Sequence, residues 1–299
     1  NLAIRAAWLH FAAGLTQAEV ATRLGVSNVK AHRLVAAASQ SGAVKVTIDG
    51  DVTECLQLEQ ALCERFGLQS CEVVPNLYED GLPLRALGIA GAAFLQRAIE
   101  GREHGVIGIG HGRTLAAAIA AMARLDAGDT RFVSLMGGLT RNYAANPHDV
   151  MHRLAEKTGG MAYFMPVPFF ANPAADREVL LAQRGVGEVF DLAARADLMI
   201  MGIGAVQPDT QLVSSRMIDL AEIQDVQERG GVAEMLGHFF DPDGRQVETS
   251  LTARTLSLDL GRLVGRRIHA IAGGPMKAEA IGAILRSGLL KGLITDERT

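Results

Sequence analysis

Four glycine-marked runs hold the side chains best suited to gripping a small ligand. They are Val106-Ile107-Gly108-Ile109-Gly110-His111-Gly112-Arg113-Thr114, Leu135-Met136-Gly137-Gly138-Leu139-Thr140-Arg141-Asn142, Met201-Gly202-Ile203-Gly204 and Ile271-Ala272-Gly273-Gly274-Pro275-Met276-Lys277. Each places glycine where an apolar strand should give way to a helix, and ligands of open α/β sheets bind at such carboxyl ends. Backbone amides freed by glycine, with Thr114 at a helix N-terminus, suit an anion such as a sugar phosphate. Arg113 or Arg141 offers a bidentate fork to neutralise it. Lys277, opening a helix after a Gly-Gly-Pro turn, can send its ammonium into the same cleft. Asp241, after Phe239-Phe240, can accept hydrogen bonds from ligand hydroxyls. The expected ligand contacts are Gly110, His111, Gly112, Arg113, Thr114, Gly137, Gly138, Leu139, Arg141, Phe240, Asp241, Gly273, Gly274 and Lys277.

A second constellation lies between Leu15 and Ala38. Thr16 is placed as an N-cap and Glu19 completes a capping box. Val20, Ala21 and Leu24 recur at helical spacing, and Gly25 supplies the permissive backbone of a helix end. Ser27 caps a second helix, in which Leu34, Val35 and Ala38 face the core while Asn28, Lys30, His32 and Arg33 stay polar. Two helices around a short glycine turn make a helix-turn-helix, whose second helix reads the major groove of double-stranded DNA with its leading residues. Thr16, Gln17, Ser27, Asn28, Lys30, His32 and Arg33 are the expected DNA contacts. An ordinary helical hairpin with a solvated face is the alternative.

Other chemistries find less support. Arg113 stands where a dinucleotide fingerprint needs its third glycine, and no Gly-Lys-Ser/Thr of a phosphate-binding loop occurs. His111 and His238 have no Gly-x-Ser-x-Gly nucleophile elbow to serve. His148 and His152 have the spacing of a two-histidine metal face, but Asp149 stands where that motif needs glutamate. Cys55, Cys63 and Cys71 are spaced evenly without histidine among them. Structural zinc wants four ligands, so neither metal nor cofactor is expected. An odd, sparse cysteine set points to a reducing, cytoplasmic setting.

The elements that must position these residues fall into two parts. The 299 residues are enough for about two domains, and 48% hydrophobic with 21% charged residues is a globular composition. Residues 1–50 carry five basic side chains (Arg5, Arg23, Lys30, Arg33 and Lys45) against Glu19 and Asp49, a net +3, so residues 51–299 carry −7 of the total −4. A modestly basic head on an acidic body fits a phosphate-facing module joined to one that does not touch DNA. Leu2–Phe11 is expected to be a first helix, with Ile4, Trp8 and Phe11 packed under the next two. Val44–Ile48 alternates like a short strand or wing, and Asp49-Gly50-Asp51 reads as the linker. Glu54–Phe66 reads as a helix, either a connector or dimer helix or one packed on the body.

Beyond it, apolar runs at Cys71–Pro75, Val106–Ile109, Phe132–Met136, Ala162–Val167, Leu198–Ile203, Ile268–Ile271 and Leu293–Thr295 read as strands. Helical stretches at Leu84–Ile99, Thr114–Ala123, Pro147–Thr158, Arg177–Arg184 and Met276–Ser287 lie between them. Strands alternating with helices mean an α/β domain with a mainly parallel sheet. Asp241-Pro242-Asp243-Gly244 is a turn signal, read as a hairpin on the sheet edge. No apolar run approaches the ~18 residues of a membrane span, and no secretory leader is visible. The chain starts without Met, so a short N-terminal piece is expected to be missing.

Taken together, these motifs resemble the SorC family of sugar-sensing bacterial transcription regulators. The resemblance is carried by Gly14-Leu15-Thr16-Gln17-Ala18-Glu19-Val20-Ala21, Leu24-Gly25-Val26-Ser27 and Arg33-Leu34 in the head. In the body it is carried by Gly108–Leu115, Gly137-Gly138-Leu139, Gly202-Ile203-Gly204, Phe239-Phe240-Asp241, Ala272-Gly273-Gly274-x-x-Lys277 and Leu293–Glu297. Asn146-Pro147-His148-Asp149-Val150-Met151-His152 is similar to the branch of the family that governs erythritol catabolism. The resemblance implies a winged helix-turn-helix (1–50) and an effector-binding and oligomerisation domain (51–299) related to sugar-phosphate isomerases. It implies a homo-oligomer, dimer or tetramer, and a sugar, polyol or sugar-phosphate effector over the glycine loops. The expected function is a repressor of a carbohydrate or polyol operon. Asn28 and His32 stand where the family often has Arg and Ser, so the operator sequence cannot be borrowed. The main rival is an isomerase-like enzyme with an accessory helical head, against which no acid/base pair assembles near the glycine loops. A protein–protein adaptor is the third reading.

Overall fold

Apolar runs that are short and unbroken must be buried on both faces, as in a parallel sheet covered by helices. All seven expected runs form strands of one sheet, whose two edge strands, Ser70–Val74 and Ala162–Pro168, are partly exposed. The computed structural model describes residues 2–44, 53–138, 150–214 and 216–299. By internal contacts the chain divides into Asn1–Asp51 and Val52–Thr299.

The first unit contains α1 (Leu2–Ala7), continued by a π-helical turn over Trp8–Ala12, then α2 (Gln17–Leu24) and α3 (Asn28–Gln40). Its core is Ala6, Leu9, Val20, Ala21, Ala31 and Val35. Here the sequence expectation fails: Ile4, Trp8 and Phe11 are 50, 62 and 51% exposed. The small Ala6 and Ala7, with Leu9, take the inward face instead, so the helix is rotated away from its largest side chains. The expected wing beyond Val44 and the linker at 49–51 lie outside the described residues.

The second unit opens with α4 (Thr53–Phe66), β1 (Ser70–Val74), α5 (Leu84–Glu100), β2 (Val106–Ile109), α6 (Arg113–Ala121) and β3 (Arg131–Gly138). Next come α7 (Val150–Thr158), β4 (Ala162–Pro168), α8 (Ala174–Leu181), α9 (Val186–Ala194), β5 (Leu198–Met201) and β6 (Gly204–Ala205). They are followed by α10 (Gln211–Ser214), α11 (Leu220–Glu228), β7 (Ala233–Met235), β8 (His238–Phe240) and β9 (Gln246–Val247). The chain ends with α12 (Leu260–Leu263), β10 (Ile268–Ile271), a 3-10 turn at Pro275–Lys277, α13 (Ala278–Arg286) and β11 (Gly292–Asp296).

The seven-stranded sheet runs β1-β11-β10-β5-β2-β3-β4, and every pairing in it is parallel. Alternation sends Ile107, Ile109, Leu198 and Ile200 to the face covered by α5, α6 and α7. Val106, Met199, Met201 and Ala270 face the opposite layer, with α9, α11 and α13. Leu62, Cys63 and Phe66 of α4 pack on that second layer too, so α4 is seated on the body. Cys55 is buried, while Leu56 and Leu58 stay exposed.

Two expectations need correction. The Asp241–Gly244 turn does close a hairpin, β8–β9, but this belongs to a separate antiparallel sheet ordered β6-β7-β8-β9. Its strands are two or three residues long, too short for alternation to be read. The helix expected at Arg177–Arg184 lies at Ala174–Leu181, starting directly after Pro173. Proline lacks the N–H a helix interior needs and fits its leading edge.

Candidate functional site

In the first unit the helix-turn-helix is built as its caps dictate. The Thr16 amide and hydroxyl both donate to Glu19 Oε2 at 2.7 Å, and the Glu19 amide donates to Thr16 Oγ1 at 3.3 Å. Those bonds hold the Glu19 carboxyl below the usual carboxylate range. Gly25 ends α2 at φ +65°, the left-handed conformation that glycine adopts freely. Ser27 Oγ accepts the Lys30 amide at 3.3 Å. Ser27, Asn28, Lys30, His32 and Arg33 are all exposed in the first two turns of α3 and its cap, Thr16 is exposed, and Gln17 is half-buried. Val29, an apolar residue on which the sequence reading was silent, is 63% exposed beside Asn28.

In the second unit a cavity of about 320 Å³ opens at the strand ends. It sits where β2 and β5 lie side by side while their connections leave in opposite directions, the switch point at which such sheets bind ligands. His111–Thr114 after β2, Gly202–Ala205 after β5 and Gly274–Lys277 after β10 supply three walls. Gly81 and Leu82, Met136, Glu234 and Phe239 of the small sheet, and Leu236 in the turn between β7 and β8 complete it with Gln207, Asp209 and Thr210.

Of the effector contacts expected from sequence, His111, Gly112, Arg113, Thr114, Gly274 and Lys277 line this cavity together. Thr114 Oγ1 donates to the Ile271 carbonyl at 2.8 Å, tying the β2 loop to β10. His111 Nε2 lies 3.4 Å from Ser134 Oγ. Lys277 Nζ donates to the Ile203 carbonyl at 2.7 Å. Burial above all, with the Arg113 charge adding to it, lowers the Lys277 ammonium to about 8 against the pull of Glu234.

The other expected contacts lie elsewhere. Gly110 is packed against Met201, and its amide donates to the Ile200 carbonyl at 2.8 Å, so it joins strands rather than lining the cavity. Gly137 presses on the Pro168 backbone where the β3–β4 register shifts, and Gly138 borders a different depression beside β4. Gly273 is wedged against Asp296. Phe240 is buried on the far face of β8, because successive strand residues point to opposite sides and Phe239 takes the cavity side. Asp241 Oδ1 accepts the Asp243 and Arg245 amides, both at 2.9 Å, and closes the hairpin turn. Leu139 and Arg141 lie outside the described residues.

Sequence reasoning missed Glu234, Asp209, Thr210 and Gln207. Glu234 Oε1 accepts the Gly237 amide at 2.6 Å, and burial raises its carboxyl despite Lys277. A lone acid in the apolar run Val232–Leu236 was the available signal. Arg113, Lys277, Asp209, Thr210 and Glu234 thus offer donors and acceptors around an apolar floor of Met136, Phe169 and Phe239. That chemistry suits a small polyhydroxylated ligand, whose hydroxyls need both. Among the described residues no cluster of His, Cys, Asp or Glu could hold a metal ion, and His152 instead meets Phe164 at a ring distance of 4.7 Å. No helix among them is long and apolar enough to cross a membrane.

The family model for a sugar-binding domain matches residues 50–299. The chain is 62% identical to the erythritol catabolism regulatory protein EryD of Brucella abortus, over 100% of this chain and 95% of the relative. The chain belongs to the sugar-binding transcriptional regulators. Within that family it is 31% identical to the transcriptional regulator LsrR of Klebsiella pneumoniae, over 100% of this chain and 91% of the relative. The full-length sorbitol operon regulator SorC from Klebsiella pneumoniae shares the fold at a TM-score of 0.73 and 22% identity, covering 99% of this chain and 96% of that one. These relatives are regulators rather than enzymes, and the isomerase-like alternative gives way to a sugar-responsive regulator.

Proposed function

We propose that this chain is a repressor of an erythritol or related polyol operon, released from or retained on its operator by a small polyol, sugar or sugar phosphate. The observation that carries this is the 62% identity across 95% of a regulator named for erythritol catabolism. The cavity's balance of Arg113 and Lys277 against Asp209 and Glu234 supports a hydroxyl-rich effector. Arg113, beside the start of α6, is placed to receive a phosphate where the effector carries one.

In this reading residues 1–50 form the DNA-reading domain, with Thr16, Gln17, Ser27, Asn28, Lys30, His32 and Arg33 on the duplex. Val29 adds an apolar contact suited to a thymine methyl. Residues 51–299 bind the effector and assemble the homo-oligomer, a dimer or tetramer whose symmetry spaces two heads on a palindrome in the cytoplasm. The effector acts through its different affinity for two arrangements of the protein, since nothing else can shift their balance.

A thermal-shift titration of the full-length protein against erythritol, erythritol phosphate, other polyols and pentose phosphates tests the reading. A ligand that binds only the folded state raises the melting temperature. At least one polyol or its phosphate is expected to do so and to change the affinity for a duplex selected from a random library. A protein indifferent to all of them, or one that binds no duplex, refutes the reading.

A further inference from the structure

Two walls of the cavity run into the same pair of strands. Gly274 lies on one wall, and its amide donates to Asp296 Oδ2 at 2.8 Å, at the end of β11. Asp296 is 3% exposed and lies so close to Gly273 that no side chain would fit there, so the turn and the Asp296 carboxylate are tied by both packing and the Gly274 hydrogen bond. Gly81 and Leu82 lie on the other wall, a few residues after the end of β1, and Leu82 packs beside Gly274. β1 pairs with β11 along its whole length.

Glu297, the residue after β11, and Val73, near the end of β1, hold α4. The Glu297 amide donates to the Val74 carbonyl at 3.0 Å, and the Glu297 carboxylate accepts the Cys55 thiol at 3.8 Å. The Val73 amide donates to Glu59 Oε1 on α4 at 2.8 Å. β1 is an edge strand, and an edge strand ordinarily leaves such amides to water. α4 begins directly after the division between the two units.

We infer that Glu59 and Glu297 are the positioning residues that couple the effector cavity to α4, and through α4 to the DNA-reading unit. The apolar contacts of Leu62, Cys63 and Phe66 hold the helix on the body but are non-directional and tolerate sliding. The hydrogen bonds from Val73 and Cys55 are directional, so among the described residues they tie the helix's position to that of the strand ends. The two strand ends form the contiguous physical path that coupling between distant sites requires. This inference rests on the proposed function, because it needs both an effector in the cavity and DNA on the head.

The test uses full-length protein, a duplex selected from a random library, and erythritol or erythritol phosphate as probe. Duplex affinity is read by fluorescence anisotropy with and without probe, and probe affinity by isothermal titration. Glu59→Ala is expected to keep both separate affinities within about twofold while the probe's effect on duplex affinity shrinks by about fivefold or more. Glu59→Gln retains an oxygen to accept the Val73 amide and is expected to restore the response. Glu297→Ala, which cuts the Cys55 tie alone, is expected to shrink the response less, and it decides the matter should Glu59→Ala fail to fold. An undiminished response in Glu59→Ala and Glu297→Ala overturns the inference, as does loss of response only in step with loss of probe binding. An unaltered protein that binds the duplex but answers to no probe overturns the proposed function beneath it instead.

Discussion

Lys277 is the residue on which the cavity's chemistry turns. Its ammonium is buried, faces Arg113 and Glu234, and loses its proton at about 8 rather than near 10.5. The charged form therefore prevails below pH 8 and vanishes above it. Effector affinity that depends on the ammonium is expected to fall about tenfold between pH 7 and pH 9, measured by isothermal titration. Lys277→Met is expected to abolish the ligand's effect on DNA while leaving duplex binding intact, and undiminished effector binding in that variant would show the site to be misplaced. Lys277 was legible because a glycine turn announced it. Glu234 was passed over, since its one signal, a lone acid in the apolar run Val232–Leu236, lies in a three-residue strand too short to show which side it faces. Phe239 and Phe240 show the limit most plainly. Both are apolar, and only the strand's register, one residue either way, decides which meets the ligand.

At the scale of elements, the five inner strands were legible because a strand buried on both faces needs a nearly continuous apolar run, and the edge strands β1 and β4, open on part of one face, were legible by their apolar and β-branched residues. The four short strands of the antiparallel sheet were not, beyond the one hairpin that the Asp241–Gly244 turn marked, and α9 and α11 went unread although Gly185 precedes the one and Gly230 follows the other. Burial of polar residues in those strands has a consequence for acid stability. His269 on β10 is buried, with its Nε2 3.1 Å from Ser70 Oγ and its ring stacked 4.9 Å from Phe94. Burial, with Arg267 and His104 adding to it, lowers its imidazole from 6.5 to about 4. A lowered histidine favours the neutral form in the folded state, so its stabilisation is complete above pH 6.5 and is lost as the pH falls toward 4. At pH 5 the loss is about 2 kcal/mol from this residue. Burial shifts His238 and His104 in the same direction. Urea melts at pH 7 and pH 5 should show the drop, and His269→Gln should remove much of it; a pH-independent midpoint would count against this account. In the head, the Thr16 capping box is an element-level device as well. Thr16→Ala is expected to cost about 1 kcal/mol, read as faster amide exchange confined to α2.

Across the whole molecule the charges are divided as the labour is. Residues 1–50 carry +3 and residues 51–299 carry −7, so a duplex is attracted by one part and repelled by the other. In the proposed reading the exposed cations of α3, Lys30 and Arg33, supply much of that attraction, since phosphate contacts release counterions as they form. Arg33→Ala is expected to weaken duplex binding and to reduce the slope of log affinity against log salt by about one where Arg33 meets a phosphate. Where it meets a base edge instead, the loss is about 1–3 kcal/mol with relaxed sequence preference. Effector affinity is expected to stay the same in either case, because the cavity lies wholly within Val52–Thr299. Anisotropy titrations over a salt series, paired with isothermal titration of erythritol, separate these outcomes. Unchanged duplex affinity in Arg33→Ala would remove α3 from the DNA interface. Lost effector binding would mean that the head contributes to the ligand site, against the division of charge and contacts between the two units.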